Sequence, residues 1–271
     1  MSRTTLGPTL TAEPEEPLEP REGESEDYYR RLWSQPGLDD LEPSSDERER
    51  WEAIRALLEK VPPTDGTLSS SPRILDLGCG RGWLTFKLSA LGEVTGIDPL
   101  DASVEKARQL CPRLRFRRAT ADDLLGEGWG ERFDLVVSSE VIEHVPDAAK
   151  PRFLSAAYGL LRPGGHLVLT TPRGELWGGW SARASRTQPV EAWIREQALS
   201  RLAQRAGFLV VSRDRAFDPR PPVSWQGFVL HRILNRKGLR RLRWPRLRAW
   251  LEHGAKIYQV VLLRRPLDPR F

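Results

Sequence analysis

With 271 residues, the chain is long enough to form one large α/β domain with additional elements around it. Charged residues make up 29% and hydrophobic residues 39%, which is typical of a globular protein and excludes a largely disordered chain. The formal net charge is +5, two cysteines exclude a disulfide framework, and no stretch approaches the ~18 apolar residues of a membrane-spanning helix. These features predict a cytoplasmic protein that is at most peripheral to a membrane.

The N-terminal part of the sequence divides into two segments. Residues 1–26 are acidic, rich in proline and poor in residues that can be buried, so we expect a disordered tail. Residues 27–72 contain several aromatic residues and a predicted helix near Ser45–Lys60, with apolar residues at helical spacing. Ser44 or Ser45 can cap this helix, and a proline-rich run ends the segment. We therefore predict N-terminal helices and a linker ahead of the main domain.

From residue 73 to residue 271 the pattern alternates between strands and helices. This alternation predicts an α/β fold with a parallel sheet, right-handed crossovers and helices on both faces. A basic insertion, residues 217–254, precedes the last strand. The predicted strands are 73–77, 93–97, 114–119, 133–138, 165–170, 208–216 and 256–263, and the helices between them lie near 82–91, 101–110, 147–161 and 190–206.

A glycine turn follows the first predicted strand of this domain. The buried run around Asp76 leads into Gly78, Gly80 and Gly82, and an amphipathic helix opens directly afterwards. Glycine allows positive φ and a close approach of the backbone to a ligand, and the N–H groups of a helix N-terminus favour an anionic group. The next strand ends on Asp98, where a carboxylate can accept both hydroxyls of a ribose.

These motifs resemble the cofactor loop of class I S-adenosylmethionine-dependent methyltransferases. The similarity covers about residues 70–212 and includes the segments 133–147 and 161–172. The segment 133–147 is most similar to the ubiquinone-biosynthesis O-methyltransferase branch. The resemblance implies a doubly wound, seven-stranded, mostly parallel sheet of the Rossmann-like type, with the last strand antiparallel beside the sixth. It also implies that the N-terminal helices cover the cofactor as a lid, although Trp51 can equally well pack against the sheet.

Read with this resemblance, the strand ends provide a set of candidate contacts to S-adenosylmethionine. The turn faces the methionine part, Asp98 the ribose, the start of the segment after strand three the adenine, and the end of strand four the methyl group. Many family members carry an acid where this chain has Thr120. The predicted cofactor-binding residues are Asp76, Gly78, Cys79, Gly80, Asp98, Thr120, Ala121, Asp122, Ser138 and Ser139.

Glu140, Glu143 and His144 follow the fourth strand and are the candidate catalytic cluster. If a helical turn begins here, positions i, i+3 and i+4 share one face, where two carboxylates and an imidazole can bind Mg²⁺ or Mn²⁺. Such a metal would lower the pKa of a substrate hydroxyl, and the ubiquinone-type enzymes use a matching motif as a metal site. Two alternatives remain open: His144 acts as a metal-free base, with Glu140 also catalytic, or the cluster is structural.

Two further stretches are candidates for partner selection. Residues 173–183 follow strand five and include Trp177 and Trp180, which favours a small planar acceptor. Residues 231–248 contain eight Arg or Lys residues and no acid, interleaved with apolar residues. This composition predicts contact with an anionic membrane surface, a carrier protein or an anionic substrate, with nucleic acid as a less favoured partner, or a helix packed by its apolar side.

The sequence therefore predicts an S-adenosylmethionine-dependent methyltransferase, with O-methylation of a small aromatic metabolite as the first hypothesis. N- or C-methylation of a specialised metabolite is the nearest alternative. Methylation of RNA 2′-hydroxyls is disfavoured, because related RNA enzymes complete the Glu/His cluster with a downstream histidine that residues 173–207 lack. A non-enzymatic partner protein is also disfavoured, because the glycine turn, Asp98 and the Glu/His cluster are all intact.

Overall fold

A computed structural model describes residues 23–61, 71–176, 192–216 and 257–267 of the chain. Its helices are α1 (Glu24–Leu32), α2 (Ser45–Leu58), α3 (Trp83–Leu88), α4 (Asp101–Leu110), α5 (Ala121–Gly126), α6 (Lys150–Leu160) and α7 (Glu196–Arg205). Its strands are β1 (Arg73–Leu77), β2 (Glu93–Asp98), β3 (Arg115–Arg118), β4 (Phe133–Ser139), β5 (Leu161–Pro172), β6 (Leu209–Ala216) and β7 (Tyr258–Arg264). Short 3-10 turns, Ile142–His144 and Gly174–Leu176, follow β4 and β5.

The strands form one seven-stranded sheet in the order β3-β2-β1-β4-β5-β7-β6. Strands β1 to β5 are parallel, and β7 pairs antiparallel with both β5 and β6. The predicted doubly wound fold with an antiparallel last strand beside the sixth is confirmed. The strand order reverses between β1 and β4, and a crevice forms at the carboxyl ends of strands at such a point. The fold therefore places a ligand site where β1 and β4 end.

Alternate residues of β1 enter two separate hydrophobic cores. Leu75 and Leu77 pack in the core that includes residues of α6 and α7. Ile74 packs on the other face, in the core that includes residues of α2 and α3. Because both faces are covered, β1 reads as a continuous buried run, as expected for a central parallel strand. Trp51 of α2 packs against the second core, so the sheet-packing alternative for this residue is confirmed.

The two N-terminal helices begin at positions that favour helix initiation. Ser44 caps α2 in a reciprocal capping box with Glu47, so one of the two predicted caps is confirmed. Helix α1 carries three acids in its first turn, where the helix dipole favours them. It begins at Glu24, before the predicted end of the disordered tail at residue 26.

Several predicted segments lie wholly or mostly outside the described residues. These are the acidic tail up to residue 22, most of the linker and insertion 217–254 with its basic stretch 231–248. The predictions for them stay predictions. Within the parts of the chain that the structure describes, every helix is too short or too polar to span a lipid bilayer.

Candidate active site

A cavity of about 300 Å³ lies at the carboxyl ends of β1, β2 and β4. The glycine turn and Asp98 line one side, and Ser139, Glu140 and His144 line another. Residues of α1 and α2 form a further wall. The volume falls at the lower end of the range for small-molecule pockets. The structure therefore brings together predicted site residues from three different strand ends.

The glycine turn places bare backbone against this cavity. Gly78 has φ 82° and Gly80 has φ 49°, a region that side chains with a Cβ rarely adopt. A Cβ at Gly78 would lie 2.3 Å from Val141 Cγ2. The N–H groups of Gly78 and Cys79 both donate to Ile97 O, at 2.8 and 2.9 Å, which folds the turn back over β2. Gly78, Cys79 and Gly80, the predicted cofactor-binding residues of the turn, all line the cavity.

Asp98 lies at the end of β2 with its carboxylate fixed by backbone N–H groups. Its Oδ2 accepts from Gly80 N–H at 3.1 Å, and its Oδ1 accepts from Leu100 N–H at 3.0 Å. Burial raises the pKa of Asp98, while these two hydrogen bonds oppose that change. The side chain of Ser103 donates a third hydrogen bond to this carboxylate. Asp98 also lines the cavity, and its binding of ribose hydroxyls stays a prediction.

Asp76 differs from its predicted role. It is buried beneath the turn and accepts a hydrogen bond from Thr85 Oγ1 of α3 at 2.5 Å. Burial raises the pKa of Asp76 to about 7, although the bond from Thr85 acts in the opposite direction. Asp76 is absent from the cavity wall that the described residues form. It therefore joins β1 to α3 and supports the turn from below.

The predicted adenine contacts at the start of α5 do not reach the cavity wall formed by the described residues. Thr120 caps α5 together with Asp123, so its side chain is engaged locally. Asp122 pairs with Arg152 at 3.1 Å, and Ala121 is buried. The sequence reading missed α5 itself, because a helix of six residues is too short to show periodicity. Adenine binding by Thr120, Ala121 and Asp122 stays a prediction.

The two serines at the end of β4 face different surroundings. Ser139 lines the cavity, and its Oγ lies 2.9 Å from Thr170 Oγ1. Ser138 is fully buried, away from the wall that the described residues form, with no hydrogen-bond partner among them for its Oγ. This alternation follows from the two-residue period of a strand. Ser139 is thus the serine that borders the predicted methyl position.

Trp83 and Trp129, whose rings could each stack on an adenine, lie at different ends of the sheet. Trp83 lines the cavity. Trp129 lies near the beginning of β4, and its ring packs on Phe133 and on the guanidinium groups of Arg117 and Arg132. Trp129 is therefore at the opposite end of the sheet from the site.

Arg81 of the glycine turn anchors the N-terminal region over the cavity, a role that the sequence reading missed. Its side chain is fully buried and donates to Glu47 Oε2 of α2 and to Asp40 O, both at 2.7 Å. Glu47 also accepts from Ser44 N–H at 2.8 Å. The cap of α2 and the cofactor turn therefore share one carboxylate. Glu47 at the third helical position is a sequence signal for a capping box, but nothing in the sequence indicates its pairing with Arg81.

Helix α1 contacts the start of α4 beside Asp98. Trp33 Nε1 donates to Ser103 Oγ at 3.1 Å, and Glu26 Oε1 accepts from Ala102 N–H at 2.8 Å. The ring of Trp33 lies 3.3 Å from the position of a Cβ on Gly80. Tyr29 and Trp33 both line the cavity. The N-terminal helices therefore cover the glycine turn, in the arrangement that the family resemblance implies for a lid.

The predicted helical face of Glu140, Glu143 and His144 is wrong. Glu140 has φ 58° in the left-handed region, and its N–H donates to Thr170 O at 3.1 Å, so no α-helix begins there. A 3-10 turn over Ile142–His144 follows instead. A non-glycine residue in this conformation is strained and is typical of a functional site. The three side chains do not share a face of an α-helix.

Glu140 and Glu143 nevertheless interact with each other beside β5. Thr170 Oγ1 donates to Glu140 Oε1 at 2.8 Å, and Thr171 Oγ1 donates to Glu143 Oε2 at 3.0 Å. Burial raises the pKa of Glu140 to about 8 and that of Glu143 to about 7. The charge of Glu143 raises the pKa of Glu140 further, and the guanidinium of Arg50 lowers both. The pair therefore retains a proton near neutral pH.

This donor set does not fit a metal ion. Both carboxyl groups already accept hydrogen bonds from threonines of β5, and the cation that faces them is Arg50 of α2. In the four described ranges, no group of three or more His, Cys, Asp or Glu side chains is arranged to hold a metal. Binding of Mg²⁺ or Mn²⁺ by Glu140, Glu143 and His144 is a prediction without support from this geometry.

The chain that returns after β5 is fixed beside the Glu/His cluster. Ala192 N–H donates to Glu143 O at 2.7 Å, and the buried Lys150 Nζ donates to Ala192 O at 2.7 Å. Lys150 also pairs with Asp147. The stretch predicted to face the acceptor, with Trp177 and Trp180, lies largely outside the described residues. The described part of the chain resumes at Ala192, next to Glu143.

The fold and cavity define a doubly wound α/β protein with a ligand site at its topological switch point. A family model described as a methyltransferase domain matches residues 46–213, more than half of the chain. The chain therefore belongs to the family of S-adenosylmethionine-dependent methyltransferases.

Individual relatives agree with this family. The chain is 33% identical over 181 residues to the ubiquinone biosynthesis O-methyltransferase of Ruegeria pomeroyi, a match covering 60% of this chain and 69% of that protein. It is 40% identical over 110 residues to the mitochondrial ubiquinone biosynthesis O-methyltransferase of Rattus norvegicus, which is 38% of this chain and 31% of the rat protein. The chain thus spans about a third of that relative's length.

Solved structures show the same fold at low identity. A crystal structure of an S-adenosylmethionine-dependent methyltransferase from Mesorhizobium loti is 22% identical, with a TM-score of 0.55. The alignment covers 80% of this chain and 98% of that chain.

Proposed function

We propose that this chain transfers the methyl group of S-adenosylmethionine to a hydroxyl oxygen of a small aromatic molecule. The observation that carries the proposal is the single cavity that joins the glycine turn and Asp98 to Ser139, Glu140 and His144. A ribose-binding end and a proton-transfer end therefore share one space. The relatives that are named O-methyltransferases support oxygen as the acceptor atom.

The side chains around the cavity support a flat acceptor. Tyr29 and Trp33 of α1 and Trp83 of α3 all line it, and aromatic side chains offer broad surfaces to a planar ring. The wall therefore combines aromatic surface with a few polar groups, which is the usual composition of a small-molecule site.

When bound, S-adenosylmethionine supplies an electrophilic methyl group on a positively charged sulfur. The chain's own contribution is to hold the reactants in line, which can account for a large part of the acceleration. His144 lines the cavity half-buried and is positioned to take the hydroxyl proton. Glu140, whose pKa is raised to about 8, retains its proton at neutral pH and donates a hydrogen bond instead of acting as the base.

The cofactor part of this proposal is tested by calorimetry with S-adenosylmethionine and S-adenosylhomocysteine. We expect Asp98→Ala to lose most of the affinity, because the carboxylate that accepts the ribose hydroxyls is removed. Asp101→Ala is the matched control, since Asp101 is an exposed acid at the start of α4. Equal affinity of both variants for the cofactor would contradict the assignment of Asp98.

The acceptor is tested by incubation with a panel of phenols, catechols, amines and RNA 3′ ends, followed by mass analysis of the products. We expect methylation on oxygen of hydroxylated rings. His144→Ala should lower turnover by ~10²–10⁴-fold while cofactor affinity is retained. Methylation on nitrogen or carbon, with cofactor binding intact, would overturn the O-acceptor and leave the family assignment in place.

A further inference from the structure

Arg50 of α2 lies at the acceptor end of the cavity, close to the Glu140 side chain. It lines the cavity, and its guanidinium carbon lies 5.7 Å from the centre of the Tyr258 ring at the start of β7. Its Nε is buried and has no hydrogen-bond partner among the described residues. The side chain thus brings a permanent positive charge into the site from a helix outside the sheet.

The titratable groups around Arg50 come from three parts of the chain. Glu140 and Glu143 follow β4, Tyr258 begins β7, and Asp46 and Glu47 precede Arg50 on α2. Glu47, however, is bonded to Arg81 at 2.7 Å. Of the two carboxyl groups that hold a proton near neutral pH, Glu140 lines the cavity with Arg50 and Glu143 is buried.

Arg50 places positive charge in the part of the cavity where a divalent metal was expected to supply it. A metal between Glu140, Glu143 and His144 would place positive charge beside the acceptor hydroxyl and stabilise its ionised form. The three side chains do not form such a site among the described residues, whereas Arg50 shares the cavity wall with Glu140 and His144, and its charge lowers the pKa of both carboxyl groups. A fixed cation in a site with little water stabilises an oxyanion by the same electrostatic effect.

We propose that Arg50 is a catalytic residue that binds the ionised hydroxyl of the acceptor in place of a metal ion. The inference rests on the proposed O-methylation. The hydroxyl proton passes to the imidazole of His144, and the resulting oxyanion is paired with the Arg50 guanidinium. The oxygen forms a bond to the methyl carbon while the carbon–sulfur bond breaks. The electron pair of the broken bond passes to the sulfur, so the sulfonium becomes a neutral thioether. No redox change or further reactant is involved.

The ionisation step can be measured without turnover by using 4-nitrocatechol, whose phenolate absorbs visible light. The probe is titrated with pH in the complex of the full chain with S-adenosylhomocysteine. We expect the pKa of the bound probe to fall by about one unit or more below its value in solution. Arg50→Gln should abolish this shift, Arg50→Lys should retain part of it, and excess chelator should leave it unchanged.

Arg48→Gln is the control on the same helix, because Arg48 is exposed and pairs only loosely with Glu42, at 3.5 Å. It should behave as wild type. Affinity for S-adenosylhomocysteine shows whether each variant keeps its fold, and Arg50→Lys covers the case in which Arg50→Gln does not. Where an acceptor is methylated, Arg50→Gln should slow turnover by ~10²-fold, with the largest loss for the least acidic phenols.

An unshifted probe in the wild-type complex, an equal shift in Arg50→Gln and wild type, or a shift that chelator removes would each overturn the proposal. Failure to bind the probe while S-adenosylhomocysteine still binds would also overturn it. A failure of the proposed function gives a different result. In that case the probe still ionises on Arg50, while no oxygen in the acceptor panel is methylated.

Discussion

The two ends of the cavity are built in different ways. The cofactor end consists of a turn and a strand end close in sequence, and its main contacts are backbone N–H groups to Ile97 O and to the Asp98 carboxylate. The acceptor end consists of side chains from α2, β5, β7 and the segment after β4, and two of its acids have strongly raised pKa values. One end is held by backbone geometry and the other by buried charge.

This difference shows how one fold can keep its cofactor and change its acceptor. A site made from backbone N–H groups and positive-φ glycines tolerates little change, because its shape depends on the path of the chain. A site made from side chains on separate elements changes with each substitution, and function depends on such sites more than on the fold. Arg81 joins the two ends, since it lies in the turn and holds α2, which carries Arg50.

The largest expected effect is the loss of the cofactor end by Gly78→Val. A Cβ there would lie 2.3 Å from Val141 Cγ2, and φ of 82° is strained for any side chain. We expect calorimetry to show no measurable binding of S-adenosylhomocysteine. Gly126→Ala is the control, because a Cβ at Gly126 meets nothing within 4 Å. Comparable affinity of both variants would show that the cofactor end does not depend on this backbone geometry.

The connection between the two ends is tested by Arg81→Met. Removal of one partner from a buried ion pair leaves the Glu47 carboxylate uncompensated, which costs about 3–5 kcal/mol. Urea unfolding should show this loss of stability. Arg55→Met removes an arginine of α2 whose pairs with Glu52 and Glu59 are exposed, and it should leave stability unchanged. Equal losses in the two variants would argue against Arg81 as the link.

The pH dependence of the free energy of unfolding tests the raised pKa values of the buried acids at the acceptor end. The pKa of Glu140 rises from 4.5 to about 8 on folding, so the folded state binds more protons than the unfolded state. The contribution of Glu140 to stability should therefore be fully present below pH 4.5 and be lost as pH rises to about 8, by about 1.4 kcal/mol per pH unit at most. Glu140→Gln should flatten the profile in urea unfolding between pH 5 and 8.

Glu93→Gln, at an exposed acid of β2, is the control for this profile and should keep the wild-type slope. A slope that Glu140→Gln leaves unchanged would mean that another buried acid determines the pH dependence, either Glu143 or Asp76, each with a pKa of about 7. If Glu143→Gln also left the slope unchanged, the cofactor end would be the more pH-sensitive of the two.

The smallest expected effect concerns residues 231–248, which add a third region to the comparison. We expect Arg240, Arg241 and Arg243 to bind an anionic partner, because this stretch contains no acid. Each arginine should contribute about 1 kcal/mol to binding of vesicles containing phosphatidylserine at low salt. A triple Gln variant should lose this binding, and Arg113→Gln, at an exposed arginine before β3, should not. Absence of vesicle binding at low salt would leave a carrier protein, nucleic acid, an anionic substrate or a packed helix as the remaining interpretations.

The sequence alone determined the sheet, the glycine turn and Asp98. Strands covered on both faces appear as short buried runs, and glycine at a strand-to-helix turn is a local requirement of backbone geometry. The sequence predicted correctly that Asp98 and the turn residues face one cavity, because the carboxyl ends of parallel strands meet at one edge of the sheet. The sequence also predicted a cap for α2 at Ser44 or Ser45, and the local pair of Ser44 and Glu47 forms it.

Only the tertiary structure decided how the charged groups combine. The bond between Arg81 and Glu47 joins residues 34 positions apart, and the approach of Arg50 to Glu140 depends on how α2 packs over the sheet. The left-handed conformation of Glu140, which breaks the expected helical face, depends on hydrogen bonds to Thr170 of β5. Spacing along the chain carries no information about such contacts, because burial and long-range pairing determine them.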